Sequence, residues 1–172
     1  FTINAMAYNE ERGLVDEFDG VGDLKRGIIR CVGEARERFQ EDALRMLRAV
    51  RFAAQLGFVL DEQTKQAICE LRENLRKVSA ERIQTELVKL LVSPHPERLL
   101  EAWETGMTAV VLPEFDACMA CEQNNPHHSY SVGVHTIKSM GEVEADKVLR
   151  LTMLFHDFGK PQAKTTDANG ID

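Results

Sequence analysis

The sequence predicts a mostly α-helical protein that opens with a short β-containing piece. Helix-favouring residues run without Gly or Pro from Arg38 to Leu56. Further stretches over 61–76, 79–91 and 96–103 repeat apolar residues at helical spacing. Residues 1–33 are short apolar pieces punctuated by turn residues, the mark of short strands.

In that first piece Asn9-Glu-Glu-Arg-Gly13 reads as a hairpin connection, with Leu14-Val15 and Ile28-Ile29 as strands. Phe1 to Ala7 fits strand or helix equally. The piece is too small to bury a core alone, so it is expected to end a larger unit. Asp16, Asp19 and Asp23 cluster here, and the turn residues around them favour structural roles.

Arg38 to Phe52 reads as one helix of about four turns. At roughly 100° per residue, Leu44, Leu47, Val50 and Ala54 form an apolar stripe that needs a core. Asp42, Arg45 and Arg48 fall on the opposite side, and Arg51 lies further round. A carboxylate with two acceptors beside a rigid guanidinium fork can satisfy the hydrogen-bonding edge of a base, and Arg48 and Arg51 suit phosphate. The same spacing also allows a solvated face in which Glu41 and Asp42 pair with Arg45 and Arg48, each pair worth a few tenths of a kcal/mol.

Asp61 is placed to cap a helix running to about Arg76, with Ile68, Leu71 and Leu75 inward. Ser79 is placed to cap the next, in which Arg82, Glu86 and Lys89 share a face. Pro94 and Pro96 can start a helix through Trp103, and Gly106 can stop it. Leu99, Leu100 and Met107 surround Trp103 at helical spacing, so it is expected in the core.

Beyond residue 107, Asn125-Pro-His-His-Ser-Tyr-Ser-Val-Gly-Val-His135 precedes Leu149-Arg-Leu-Thr-Met-Leu-Phe-His-Asp-Phe-Gly-Lys-Pro161. Imidazole and carboxylate are good divalent-metal ligands, so His135, His156 and Asp157 form a three-ligand set from two helices. The alternative is satisfied core histidines. His127 and His128 could contact phosphate. Asp167 and Asp172 lie in a polar loop close to His156 and are not assigned as ligands, so a fourth ligand is left open.

The chain has 172 residues, 44% hydrophobic, with a formal net charge of −7. That size allows one domain or two small ones, and the charge argues against a nonspecific nucleic-acid coat. No apolar run approaches the roughly 20 residues of a membrane span, so no membrane association is expected. Cys31, Cys69, Cys118 and Cys121 lack the second C-x-x-C of a zinc ribbon and read as reduced thiols of a cytoplasmic protein. The chain starts on Phe1, inside an apolar motif, which suggests a fragment or processed product.

Phe1-Thr-Ile-Asn-Ala-Met-Ala7, Asp16-Glu-Phe-Asp-Gly-Val-Gly-Asp-Leu24, Ile28-Ile-Arg-Cys-Val-Gly33 and Glu41-Asp-Ala-Leu-Arg-Met-Leu-Arg-Ala-Val-Arg-Phe52 together resemble the bacterial tRNA nucleotidyltransferase and poly(A) polymerase family, the class II CCA-adding enzymes. The resemblance implies a template-independent transfer of CMP or AMP from CTP or ATP to a tRNA or other RNA 3′ end, with Mg2+ in the parent enzyme. It implies that Asp42 and Arg45 select the base and that Arg48 and Arg51 hold the nucleotide. The Arg82, Glu86 and Lys89 face matches the family's neck motif and is expected to support that helix. The catalytic carboxylates of the family fall outside this sequence, so the chain alone is expected to be inactive in transfer.

The His135, His156 and Asp157 arrangement resembles the HD phosphohydrolase superfamily, which implies a divalent metal. The implied organisation is a nucleotidyltransferase head remnant at 1–33, a helical neck at 34–106, and the first part of a truncated HD-type helical domain at 107–172. A metal-dependent HD phosphohydrolase and a noncatalytic RNA-binding module remain alternatives.

Overall fold

The structure is a computed structural model and describes residues 1–122 and 130–164. His127, His128, Asp167 and Asp172 therefore lie outside the described residues. The architecture is mostly helical, as the sequence predicts. No helix of the described residues is long and apolar enough to cross a membrane.

A 3₁₀ turn at Thr2–Asn4 leads into an antiparallel hairpin, β1 (Ala7–Asn9) and β2 (Gly13–Val15), which pairs Ala7 with Val15 and Asn9 with Gly13. This settles Phe1 to Ala7 as a helical turn followed by the start of a strand. A helix missed in the sequence follows, α1 (Gly20–Arg26), whose two glycines weaken the helical signal. The Asp16 carboxylate accepts from Gly20 N at 2.7 Å and Val21 N at 2.8 Å and so holds its first turn. Asp23 is buried, and burial opposes its ionisation. Bonds from Thr2, Arg26 and Arg30 outweigh that cost and hold its carboxyl below the usual range. Both acids thus have structural partners.

β3 (Ile28–Ile29) pairs in parallel with β4 (Val59–Leu60), Ile28 opposite Val59 and Ile29 opposite Leu60. This two-residue ladder ties the opening piece to the helices, and Ile29 is fully buried in the common core.

The long helix expected from Arg38 to Phe52 is broken in two. α2 (Ala35–Glu41) ends at Asp42, whose backbone is extended (φ −150°, ψ 103°), and α3 (Leu44–Leu56) begins two residues later. Asp42 Oδ1 accepts from Leu44 N at 3.2 Å, which satisfies an amide at the new N-terminus, the usual work of an Asp cap. Leu44, Leu47, Val50 and Ala54 are buried as expected, and Met46, Ala49 and Ala53 widen the stripe. Gly57 ends α3 at φ +70°, a left-handed conformation that suits glycine.

α4 (Glu62–Leu71) is capped by Asp61, which accepts from Thr64 N at 3.1 Å. It stops short of the expected Arg76. Arg72 Nη1 donates to the Cys69 carbonyl, and the chain tightens into a 3₁₀ stretch, Arg72–Lys77, that buries Leu75. α5 (Ala80–Leu91) packs across α3. A 3₁₀ turn at Pro96–Arg98 leads into α6 (Leu99–Glu104), and Gly106 stops it at φ +75°. Trp103 is 37% exposed and does not enter the core: Leu99 and Ala102 take α6's buried face, and Trp103 falls beside it.

α7 (Thr108–Val111) and α8 (Pro113–Ala120) precede α9 (Val132–Glu142), α10 (Lys147–Phe155) and the short α11 (Lys160–Ala163). Ser131 Oγ caps α9 at Val134 N, and Asp146 caps α10 at Val148 N and Leu149 N. The buried Arg150 of α10 donates to the Met140 and Glu144 carbonyls at the C-terminal end of α9. Burial lowers its pKa, and those carbonyls, with the negative end of the helix dipole, offset that cost.

Candidate functional site

Two constellations of the expected residues stand out in the helical body. The first surrounds the Asp42 break. There the expected residues do not converge on one empty face, because all four are engaged by neighbouring side chains. Asp42 Oδ2 accepts from Arg82 Nη2 of α5 at 3.0 Å, while Oδ1 holds Leu44 N. Arg45 turns back to Glu41 Oε2 at 2.6 Å and to the Arg38 carbonyl at 3.2 Å. Arg48 and Arg51 meet on one carboxylate: Glu86 Oε1 lies 3.3 Å from Arg48 Nε and Glu86 Oε2 lies 2.7 Å from Arg51 Nε. Glu86 is 5% exposed. Arg51 also donates to Gln55 Oε1 and lies 3.9 Å over the Phe52 ring.

The support expected from the Arg82, Glu86 and Lys89 face thus comes from the first two; Lys89 is exposed. Sequence reasoning missed that one glutamate takes two arginines, and that Asp42 faces Arg82 more directly than Arg45. Asp42, Arg82, Gln40, Asn74 and Lys77 line a cleft of about 530 Å³, within the few-hundred-Å³ range of small-ligand sites.

The second constellation is built by α9, α10 and the turn after α10. His135 comes from the first turn of α9. His156 is the C-terminal cap of α10, and Asp157 follows it. One donor atom from each lies within 4.8 Å of the others. His156 Nε2 is 3.2 Å and His135 Nε2 is 4.0 Å from Asp157 Oδ2, and the two rings stand 5.5 Å apart. His156 Nδ1 lies 2.8 Å from the Met153 carbonyl. A carbonyl only accepts, so Nδ1 carries a proton, and Nε2 is the ring nitrogen that faces Asp157. Ser139 Oγ sits 3.4 Å from His135 Nε2. The donor set and its spacing fit a divalent ion.

Behind Asp157, Cys118 is fully buried with Sγ 3.8 Å from the Asp157 carbonyl. Burial first, then the nearby Cys121 and Asp157 charges, push its thiol up. It is inert packing against the metal-type site. All four cysteines are free thiols.

A family model described as the "probable RNA and SrmB- binding site of polymerase A" matches residues 57–119. With the helical body, this match points to a polymerase A-like class of protein. More particularly, the chain belongs to the bacterial CCA-adding enzyme family. It is 43% identical over 136 residues to the CCA-adding enzyme of Lactobacillus helveticus, 79% of this chain and 34% of that protein. It is 59% identical over 90 residues to that of Lactobacillus delbrueckii subsp. bulgaricus, 52% of this chain and 23% of that protein. The Bacillus stearothermophilus CCA-adding enzyme in complex with CTP is 43% identical, with a TM-score of 0.64 over 68% of this chain and 31% of that one. The chain thus spans about a quarter to a third of the length of these curated relatives.

Proposed function

We propose that this chain forms the nucleotide-selecting neck and the adjoining HD-type region of a template-independent RNA nucleotidyltransferase, which adds CMP and AMP to tRNA 3′ ends. On this reading residues 1–33 close the head, 34–106 form the neck and 107–172 begin the HD-type unit. Asp42 and Arg45 read the base of CTP or ATP. Arg48 and Arg51, oriented by Glu86, hold the rest of the nucleotide.

The observation that carries the proposal is the break at Asp42 and Ala43. It interrupts the helical ladder at Asp42 and places a carboxylate and the Arg45 guanidinium at the start of α3, where their side-chain partners, Arg82 and Glu41, are partly exposed and exchangeable. A base edge with one donor and one acceptor side can replace the Arg82 and Glu41 contacts without unfolding the core beneath. The similarity to an enzyme solved with CTP, and to the Thermotoga maritima CCA-adding enzyme complexed with tRNA at 31% identity and a TM-score of 0.58, supports CTP and a tRNA 3′ end as partners, and the family resemblance adds ATP. The transfer step needs Mg2+ held by carboxylates, to activate the attacking hydroxyl and neutralise the triphosphate. Asp16 and Asp23 are taken up in capping and ion pairs, so the residues here select the nucleotide and position it. A cytoplasmic setting goes with this reading.

Arg45→Ala is expected to weaken CTP binding by about 10- to 100-fold, the loss of one charge-assisted hydrogen bond of about 1.5 to 3 kcal/mol. Titration calorimetry on the wild-type and variant chains checks this. Equal affinities would overturn the base-reading assignment.

A second reading is favoured by the His135, His156 and Asp157 cluster. Those three residues would hold a divalent ion, and such an ion supplies an activated water for phosphoester hydrolysis. Elemental analysis of the purified chain should find near-stoichiometric divalent metal, and His156→Ala should remove it. Metal content that is unchanged by the substitution would sink the site.

A further inference from the structure

Lys160, the first residue of α11, places Nζ 2.8 Å from Asp157 Oδ2. That is the same oxygen approached by His156 Nε2 and His135 Nε2. The Asp157 side chain is only 9% exposed, and a carboxylate so far out of water needs a counter-charge. The Lys160 ammonium, at 2.8 Å against 3.2 Å for His156 Nε2 and 4.0 Å for His135 Nε2, is the nearest group that supplies one.

A divalent ion ligated by His135, His156 and Asp157 would bring its own positive charge to that oxygen. Lys160 would then be surplus, and its ammonium would face a like charge a few ångströms away, in a setting where the repulsion is weakly screened. The lysine has somewhere to go. Its side chain is 45% exposed and can turn into solvent.

We propose that Lys160 is a placeholder cation: it neutralises Asp157 in the metal-free chain and must be displaced when a divalent ion binds. The inference rests on the metal reading of this cluster and adds to it a residue that is no ligand yet sets the affinity. It gives the lysine two effects of opposite sign. Removing the ammonium takes away a competitor, so metal binds more tightly. It also strips the buried carboxylate of its partner, so the metal-free chain is less stable.

Lys160→Met keeps most of the aliphatic stem and removes the charge. In calorimetric titrations with Mn2+, the variant is expected to bind about tenfold more tightly than the wild type, while Lys160→Arg stays within about twofold. Without metal, Lys160→Met is expected to melt below the wild type, and saturating Mn2+ should close that gap. Equal or weaker Mn2+ affinity in Lys160→Met, with measurable binding by the wild type, overturns the placeholder role and leaves the metal site standing. Absence of binding in the wild type and in Lys160→Met alike overturns the metal reading itself, and the placeholder with it. An unchanged metal-free melting temperature shows that the ammonium does not neutralise Asp157 and also overturns the proposal.

Discussion

Replacing Glu86 by alanine is expected to cost the chain about 3 kcal/mol of stability, the low end of what breaking a buried ion pair removes. Glu86 is nearly fully buried between α5 and α3, and its carboxylate is the acidic partner of both Arg48 and Arg51. The two contributions are unequal. Arg48 is 40% exposed and can turn to water, so its share is small. Arg51 is 13% exposed, flat against the Phe52 ring, and would keep only its bond to Gln55. Leaving that guanidinium buried without a counter-charge is the main cost. Thermal melts should show a fall of about 6 to 12 °C for a chain of this size. Glu86→Gln, which keeps the shape and one acceptor, should fall in between. A loss under about 1 kcal/mol in the alanine variant would mean that the α3 to α5 contact rests on its apolar residues alone.

The same glutamate shows where sequence reading succeeds and where it stops. Helical periodicity located α3, α5 and their buried residues, because apolar spacing directly reports which side faces the core. Helical spacing put Arg82 and Glu86 on one face, and the family resemblance implied that this face supports the neighbouring helix. Periodicity carries no distances between helices, so the convergence of two arginines on Glu86 was not legible. The break at Asp42 was legible in principle, since Asp is a strong cap and its side chain competes with the helical ladder. The high propensity of the surrounding Glu, Ala, Leu and Arg masked it. β4 was hidden by its length, for two residues make no alternating pattern. Trp103 was misplaced because neighbours at helical spacing show that a face is apolar without showing whether anything covers it. At the other end of the chain, His135, His156 and Asp157 were brought together as the motif suggested. Lys160 lay inside the quoted motif without a role, although its three-residue spacing from Asp157 puts both on one side of a helical turn.

Substituting Gly133 by alanine is expected to destabilise the chain by about 2 kcal/mol and to weaken Mn2+ binding at the His135 site. A Cβ at Gly133 would press on the Met119 side chain and stand 2.7 Å from the Met119 N and Cα atoms of α8. A flexible thioether can turn aside, but backbone cannot, so α9 must move away from α8. Overpacking of this kind costs about 1 to 3 kcal/mol. His135 lies two residues further along α9, and shifting that first turn carries its imidazole away from Asp157, whose position is set by α10 and the turn behind Cys118. Intrinsic propensity points the other way, since alanine is favoured over glycine inside a helix by up to about 1 kcal/mol. The sign of the stability change therefore decides which effect wins. Gly141, on the same helix with nothing within 4 Å of its would-be Cβ, isolates the propensity term: Gly141→Ala should stabilise modestly and leave Mn2+ affinity unchanged. If Gly133→Ala also stabilises, α8 and α9 do not approach as closely as their backbones indicate, and the placement of His135 loses its main support.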